Sequence, residues 1–339
     1  MRYDMQPPPG RLEGFAGWPD PPWRANTSIS LLVPDPACPE RVGSHLLLDC
    51  GFGVAESLTA VAIPGSERIA AVLLTHWHSD HVAGERLIGE GVRRTLGHAF
   101  APIPLFGHPY TLERVQAAFS RDMERLYDIQ PSEPGFPINI GEFTILPVQV
   151  QHHDNQGCVI YLVTHRASGT RMIFAWDLDT PQTQLPDGVT CNLDVFADPA
   201  LHGADLLLLE CNTWQVSRRW ERFRWHTTGH SCFLAGWSYV EACRPRRLGL
   251  VHLSGHEDGD GSPGHGWTDD EWIDAAWRHA AAHPVGGRQV EVLRLLQGTV
   301  LHPAAPDEPG REAQQRRWSP ALLPRAARER SSAAAGSPH

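Results

Sequence analysis

The chain has no lysine; all 29 of its basic residues are arginine. With abundant Ala, Pro and Gly this fits the codon bias of a GC-rich genome, and it carries no functional meaning. Positive charge is scarce overall. A net charge of -10 speaks against a general binder of nucleic acid or anionic membrane. No Cys-x-x-Cys joins the seven cysteines, which excludes a zinc knuckle or dithiol redox motif of that form. The odd cysteine count and the lack of an apolar leader after Met1 predict a reduced, cytoplasmic protein. No apolar run reaches the roughly 20 residues of a membrane helix. What remains, 339 residues with 41% apolar and 20% charged side chains, is an ordinary globular composition long enough for a sizeable core.

Against that background one stretch stands out, residues 69–84. An apolar run, Ile69-Ala70-Ala71-Val72-Leu73-Leu74, ends abruptly in Thr75-His76-Trp77-His78-Ser79-Asp80-His81. The run reads as a buried strand, and polar groups just past its end belong at the mouth of a sheet, where α/β proteins place their chemistry. His76 and His78 are two apart, so an extended chain projects both rings to one side. Imidazole and carboxylate together suit Zn, Mn or Fe. Four such groups exceed what one metal usually takes from a single segment.

The remaining chain alternates apolar segments with turn signals. Strands are predicted at 26–33, 45–53, 104–109, 142–153, 159–163, 171–177, 205–210, 248–253 and 290–301. Helices are predicted at 56–63, from Val82 onward, at 111–127 with Thr111 as cap, at 231–242, and at 268–282 behind the capping box Thr268-Asp269-Asp270-Glu271. Residues 131–140 read as a Pro-rich, weakly structured stretch. Residues 1–24 form a Pro/Gly-rich N-terminal segment, 25–302 the domain, and 303–339 a disordered Ala/Pro/Arg-rich tail.

His-x-His-x-Asp-His after a buried strand resembles the signature of the metallo-β-lactamase fold superfamily. Asp49-Cys50-Gly51 resembles the Asp-x-Gly that typically closes the second strand of that fold. The resemblance implies an α/β architecture, an αββα sandwich of two mixed sheets packed face to face with helices outside. Further strand ends match the family's remaining ligand positions: His152, Asp177 and His252. It implies His76, His78 and His152 on one ion, Asp80, His81 and His252 on a second, and Asp177 bridging two divalent cations, Zn first with Mn or Fe as alternatives. Asp179 is the fallback bridge, and strand alternation favours His152 over His153. Such a pair of ions would hold and deprotonate one water between them.

Gly229-His230-Ser231 resembles the phosphodiesterase branch, typified by RNase Z-type endonucleases and the cyclic phosphodiesterases of carbon–phosphorus lyase pathways. There the histidine in this position contacts the scissile phosphate. The expected activity is cleavage of a small cyclic or nucleotide-derived phosphodiester. The resemblance implies that the ions would supply an attacking hydroxide, with Asp80 orienting it and His230 protonating the leaving oxygen. Alternatives are hydrolysis of a lactone, thioester or amide, or a non-catalytic or redox member; the diiron redox branch typically has Glu where His78 stands. The expected partner is a small anionic molecule. Bulk nucleic acid is disfavoured by the acidic charge and the lack of a Gly-rich arm, no membrane is involved, and a homodimer is left open. Residues 214–225, rich in Arg and Trp, are a candidate recognition segment, or else a surface helix with its aromatics turned inward.

Overall fold

A computed structural model describes residues 2–3, 28–35, 37–51, 54, 69–82, 102–119, 123–152, 156–215, 230–254, 263–264, 267–293, 299–300 and 316–317. Two sheets form its centre. The first has five strands, β1 (Ile29–Asp35), β2 (Cys38–Leu48), β3 (Ile69–Leu73), β4 (Ile103–Gly107) and β5 (Tyr127–Pro131), in the order β1-β2-β3-β4-β5. Only the β1–β2 pair is antiparallel. The second has seven strands, β6 (Ile138–Ile140), β7 (Phe143–Gln149), β8 (Val159–His165), β9 (Arg171–Ala175), β10 (Leu206–Glu210), β11 (Arg247–Val251) and β12 (Glu291–Leu293), in the order β12-β11-β10-β9-β8-β7-β6. Its β6 to β9 half is antiparallel and its β9 to β12 half parallel.

The helices are α1 (Ser79–Val82), α2 (Pro109–Phe119), α3 (Met123–Leu126), α4 (Asn192–Phe196), α5 (Phe233–Cys243) and α6 (Asp269–Ala282). Side-chain alternation distributes them. In β8, Val159, Tyr161 and Val163 face the other sheet, while Ile160 and Leu162 face the helices. In β2, Leu46 and Leu48 face inward and Leu47 outward. Both faces of the central strands are therefore buried, which is why they read as unbroken apolar runs. The inner core packs Leu73, Phe174, Trp176 and Leu208 between the sheets. Outside the first sheet lie Leu112, Val115 and Leu126; outside the second lie Phe233, Trp237, Trp272 and Ala276. The result is the four-layer αββα sandwich.

Some element bounds differ from expectation. The helix expected over 111–127 is two helices, and Tyr127 opens β5 instead. It starts two residues early because Pro109, with its fixed φ, suits a first turn and the His108 ring accepts the Tyr110 N–H at 3.1 Å. Thr111 is not the cap; its hydroxyl donates to the Gly157 carbonyl at 2.9 Å. The stretch read as weakly structured contains β6, which pairs with β7. The helix expected from Val82 begins at Ser79. The capping box before α6 is as predicted: the Glu271 carboxylate accepts the Thr268 N–H at 2.6 Å and Thr268 Oγ1 accepts the Glu271 N–H at 3.2 Å. The expected helix at 56–63, His153, and nearly all of 1–24 and 303–339 lie outside the described residues. Among the described residues no helix is long and apolar enough to cross a membrane.

Candidate metal centre

Strand ends carry the site, and three of them leave their sheets through left-handed backbone. Asp49 follows β2 at φ 55°, Asp177 lies two past β9 at φ 59°, and His252 follows β11 at φ 53°. Asp and His tolerate this region better than branched residues do, though at some cost. Non-glycine residues held there cluster at functional sites. The turn swings each side chain off its strand and into the space over the inter-sheet core.

Two groups of side chains converge there. His76, His78, His152 and Asp177 bring one ligand atom each within 4.8 Å of one another, as do Asp80, His81, Asp177 and His252. In the first group Asp177 Oδ2 stands 3.3 Å from His76 Nε2 and 3.4 Å from His152 Nε2. His78 turns its Nδ1 to the same point, 3.0 Å from His76 Nε2 and 3.2 Å from His152 Nε2. In the second, Asp177 Oδ1 stands 3.2 Å from both His81 Nε2 and His252 Nε2. Asp80 Oδ2 is 3.3 Å from His81 Nε2 and 3.7 Å from His252 Nε2. One carboxylate thus presents one oxygen to each group.

These spacings test whether metal ions fit. Four ligands about 2.1 Å from one ion in a tetrahedron lie about 3.4 Å apart. Both groups come close to that figure. Both oxygens of Asp177 and Nε2 of His81 are buried and make no hydrogen bond. Such groups normally find a partner, and a cation at each convergence point would serve them all. The donor set, imidazole and carboxylate, is that of a divalent metal site.

Electrostatics agree. Burial takes His78 down to about 3, helped by His76, and holds His152 well below the usual imidazole range. Both rings are therefore neutral, the form that ligates metal. Burial opposes charge on Asp80 and Asp177, but the imidazoles outweigh it: His81 and His252 around Asp80, and His252, His81 and His76 around Asp177. Both carboxyls stay well below their ordinary range. His81 is also buried, yet Asp177, Asp80 and Asp49 raise it well above the ordinary range. A metal ion at Nε2 would take the place of that proton.

A second layer fixes the first. Asp49 Oδ2 accepts His81 Nδ1 at 2.8 Å, the Thr75 hydroxyl at 2.6 Å and the Trp176 indole N–H at 2.6 Å; its Oδ1 accepts the Thr75 amide at 2.7 Å. With Nδ1 so held, His81 directs Nε2 at the site. The Tyr161 hydroxyl donates across the sandwich to the Leu74 carbonyl at 2.7 Å, tying the histidine loop to the second sheet. Glu210, fully buried at the end of β10, accepts the Leu178 amide and His230 Nδ1, each at 2.5 Å. Burial disfavours charge on His230, but Glu210 outweighs it and lifts that ring to about 9. The His230 ring stacks on His252 at 4.9 Å and lies 5.1 Å from His152, against both groups.

The seven residues expected as ligands, His76, His78, Asp80, His81, His152, Asp177 and His252, are all brought together, and His230 lies beside them. Asp177, not Asp179, belongs to both groups. Asp179 is buried nearby, its amide donating to the Gln151 carbonyl and its carbonyl accepting the Tyr239 hydroxyl. Two carboxylates have partners that the sequence reading does not assign: it places Asp49 only in the Asp-x-Gly that closes a strand, and Glu210 only at a strand end. Each closes a wholly apolar run, Leu46-Leu47-Leu48 and Leu206-Leu207-Leu208-Leu209, and a carboxylate at the end of a buried strand must be paired. That signal was available. Most of the 214–225 segment lies outside the described residues; Trp214 packs parallel to Phe233 at 4.3 Å.

Known proteins share this architecture. Ribonuclease Z of Mycobacterium bovis is 34% identical over 191 residues, 52% of this chain and 65% of that protein. The probable metallo-hydrolase YhfI of Bacillus subtilis is 28% identical over 169 residues, 49% of this chain and 60% of that protein. The chain thus spans less than two thirds of either relative. The crystal structure of YhfI superposes with a TM-score of 0.53 at 23% identity, covering 74% of this chain and 85% of that one. Unliganded yeast PDE1 gives a TM-score of 0.56 at 13% identity, covering 79% and 93%. At such identities these two structures speak for the fold alone. The family model of the beta-lactamase superfamily domain matches residues 44–253, more than half of the chain, so this chain belongs to that superfamily.

Proposed function

We propose that this chain is a binuclear metal-dependent hydrolase acting on a phosphodiester, with residues 25–302 as its hydrolase domain. The observation that carries the reading is the division of Asp177, one oxygen to each histidine group, with His230 stacked against the second group and paired to Glu210. His76, His78 and His152 would hold one ion, Asp80, His81 and His252 the other, with Asp177 shared. When bound, two divalent ions supply Lewis acidity and lower the pKa of water between them.

The chain's own residues do the rest. Asp80 orients the attacking water. Glu210 holds His230 Nδ1, which leaves Nε2 as the atom that gives a proton to the departing oxygen. The water oxygen bonds to phosphorus and sheds a proton to solvent as the ester P–O bond breaks; the alcohol leaves neutral with the His230 proton, and His230 is reprotonated from solvent. The pairing with Glu210 keeps His230 charged at neutral pH, as a general acid requires.

The relatives named ribonuclease Z weigh against the expectation that bulk nucleic acid is disfavoured, so an RNA end belongs among the candidates. Metal content should be measured together with turnover of bis(p-nitrophenyl) phosphate, a 3′-extended tRNA, a lactone and a thioester. Two ions per chain and phosphodiester turnover are expected. Turnover of the lactone or thioester alone would transfer the site to acyl chemistry, and a single ion would refute the binuclear centre.

A further inference from the structure

Trp77 stands between His76 and His78, its ring 5.1 Å from that of His78. It is 37% exposed, whereas Thr75, His76, Asp80 and His81 of the same loop are buried. The Arg114 guanidinium lies 5.6 Å from the centre of the Trp77 ring and 5.1 Å from that of Tyr110. Arg114 also donates to the Tyr110 hydroxyl at 2.8 Å. The two are one turn apart on α2, so their pairing is built into the helix.

Arg114 is exposed, and among the described residues no carboxylate pairs with it. A guanidinium that packs on rings still offers edge N–H donors for a bidentate acceptor. A cation with no carboxylate partner among the described residues, held one indole away from the His78 ring in a chain of net charge -10, is a place for a substrate's anion. The helix that carries it is anchored at its first turn. Thr111 in the first turn of α2 bonds the Gly157 carbonyl, in the loop that links His152 to β8. Helix and loop touch so closely that a Cβ on Gly157 would lie 2.8 Å from Thr111 Oγ1 and 3.0 Å from His108 Nδ1.

We infer that Arg114, backed by Trp77 and Tyr110, binds a second anionic group of the substrate, a phosphate beyond the one that is cleaved. The substrate class is then a phosphodiester carrying a further phosphate. This rests on the phosphodiesterase reading above, and its test separates the two. The 5′-(p-nitrophenyl phosphate) ester of thymidine is compared with the same ester carrying a 3′-phosphate. In parallel, binding of thymidine 3′,5′-bisphosphate and thymidine 5′-monophosphate to the zinc-loaded protein is measured by calorimetry.

The doubly phosphorylated member of each pair should show KM or Kd lower by about tenfold, the worth of one charge-assisted contact. In Arg114→Gln, shown folded by its thermal transition, both ratios should fall to near one. A Kd ratio near one in the wild type, or one unchanged in Arg114→Gln, overturns the inference. If neither ester turns over while the Kd ratio behaves as expected, the phosphodiesterase reading fails and the anion site stands.

Discussion

The carboxylate of Asp49 accepts the indole N–H of Trp176 at 2.6 Å, joining the end of one sheet to the end of the other. The same oxygen holds His81 Nδ1 at 2.8 Å, so one buried group ties the two sheets and sets the orientation of the His81 ring. Asp49→Asn keeps the shape but replaces an acceptor oxygen with an amide that donates. Metal affinity should drop about 10–100-fold, the usual cost of losing such a partner, as read by competition with a chelator. Trp176→Phe removes one donor of four and should cost stability, about 1 kcal/mol, with metal content kept. Unchanged affinity in Asp49→Asn would remove Asp49 from the ligand's support.

Asp177 and Asp179 can be separated directly. Asp177→Asn takes the shared charge from both histidine groups and should lose both ions. Asp179→Asn should retain two. Elemental analysis of the purified variants decides, and the opposite pattern would make Asp179 the bridge.

Asp80→Ala with His81→Ala strips the second group and leaves His76, His78, His152 and Asp177 intact. Metal content should fall from two ions to one while the fold persists by circular dichroism. Two ions in the double variant would undo the division into groups.

Glu210 lifts His230 to about 9. A raised pKa keeps the ring protonated below that value, so a rate that needs its proton should decline as pH rises through about 9. In Glu210→Gln the carboxylate's support is gone, and the alkaline decline should move down toward the ordinary imidazole range. His230→Ala should lower kcat by about 10²–10⁴-fold, the range for a general acid. A pH–rate profile that does not move in Glu210→Gln would break the link between the two residues.

Gly157→Ala places a Cβ against Thr111 Oγ1 and His108 Nδ1. It should destabilise by about 1–3 kcal/mol, as overpacking does. Adding Thr111→Ala removes the closest atom and should recover part of the loss. Thermal unfolding of the two variants tests this, and additive losses would mean that helix and loop are not in contact.

The sandwich was legible in the sequence because its central strands are buried on both faces. Leu46 to Leu48, Val159 to Val163 and Leu206 to Leu209 are apolar for that reason, and turn residues mark their ends. Thr111 shows where local reading fails: a good cap by type, it was claimed by Gly157, 46 residues away, while His108 capped the helix. The site divides along the same line. His76, His78, Asp80 and His81 lie within six positions on one strand end, so local chain geometry alone groups them as ligand candidates. The choice of Asp177 over Asp179 depends on a left-handed turn that only the packed strand ends impose. The roles of Asp49 and Glu210 depend on partners brought from 127 and 20 positions away. A strand end shows in sequence that a polar side chain will stand at the rim of the core, because patterning is local. Which group that side chain meets across the rim is decided only when the two sheets close on each other.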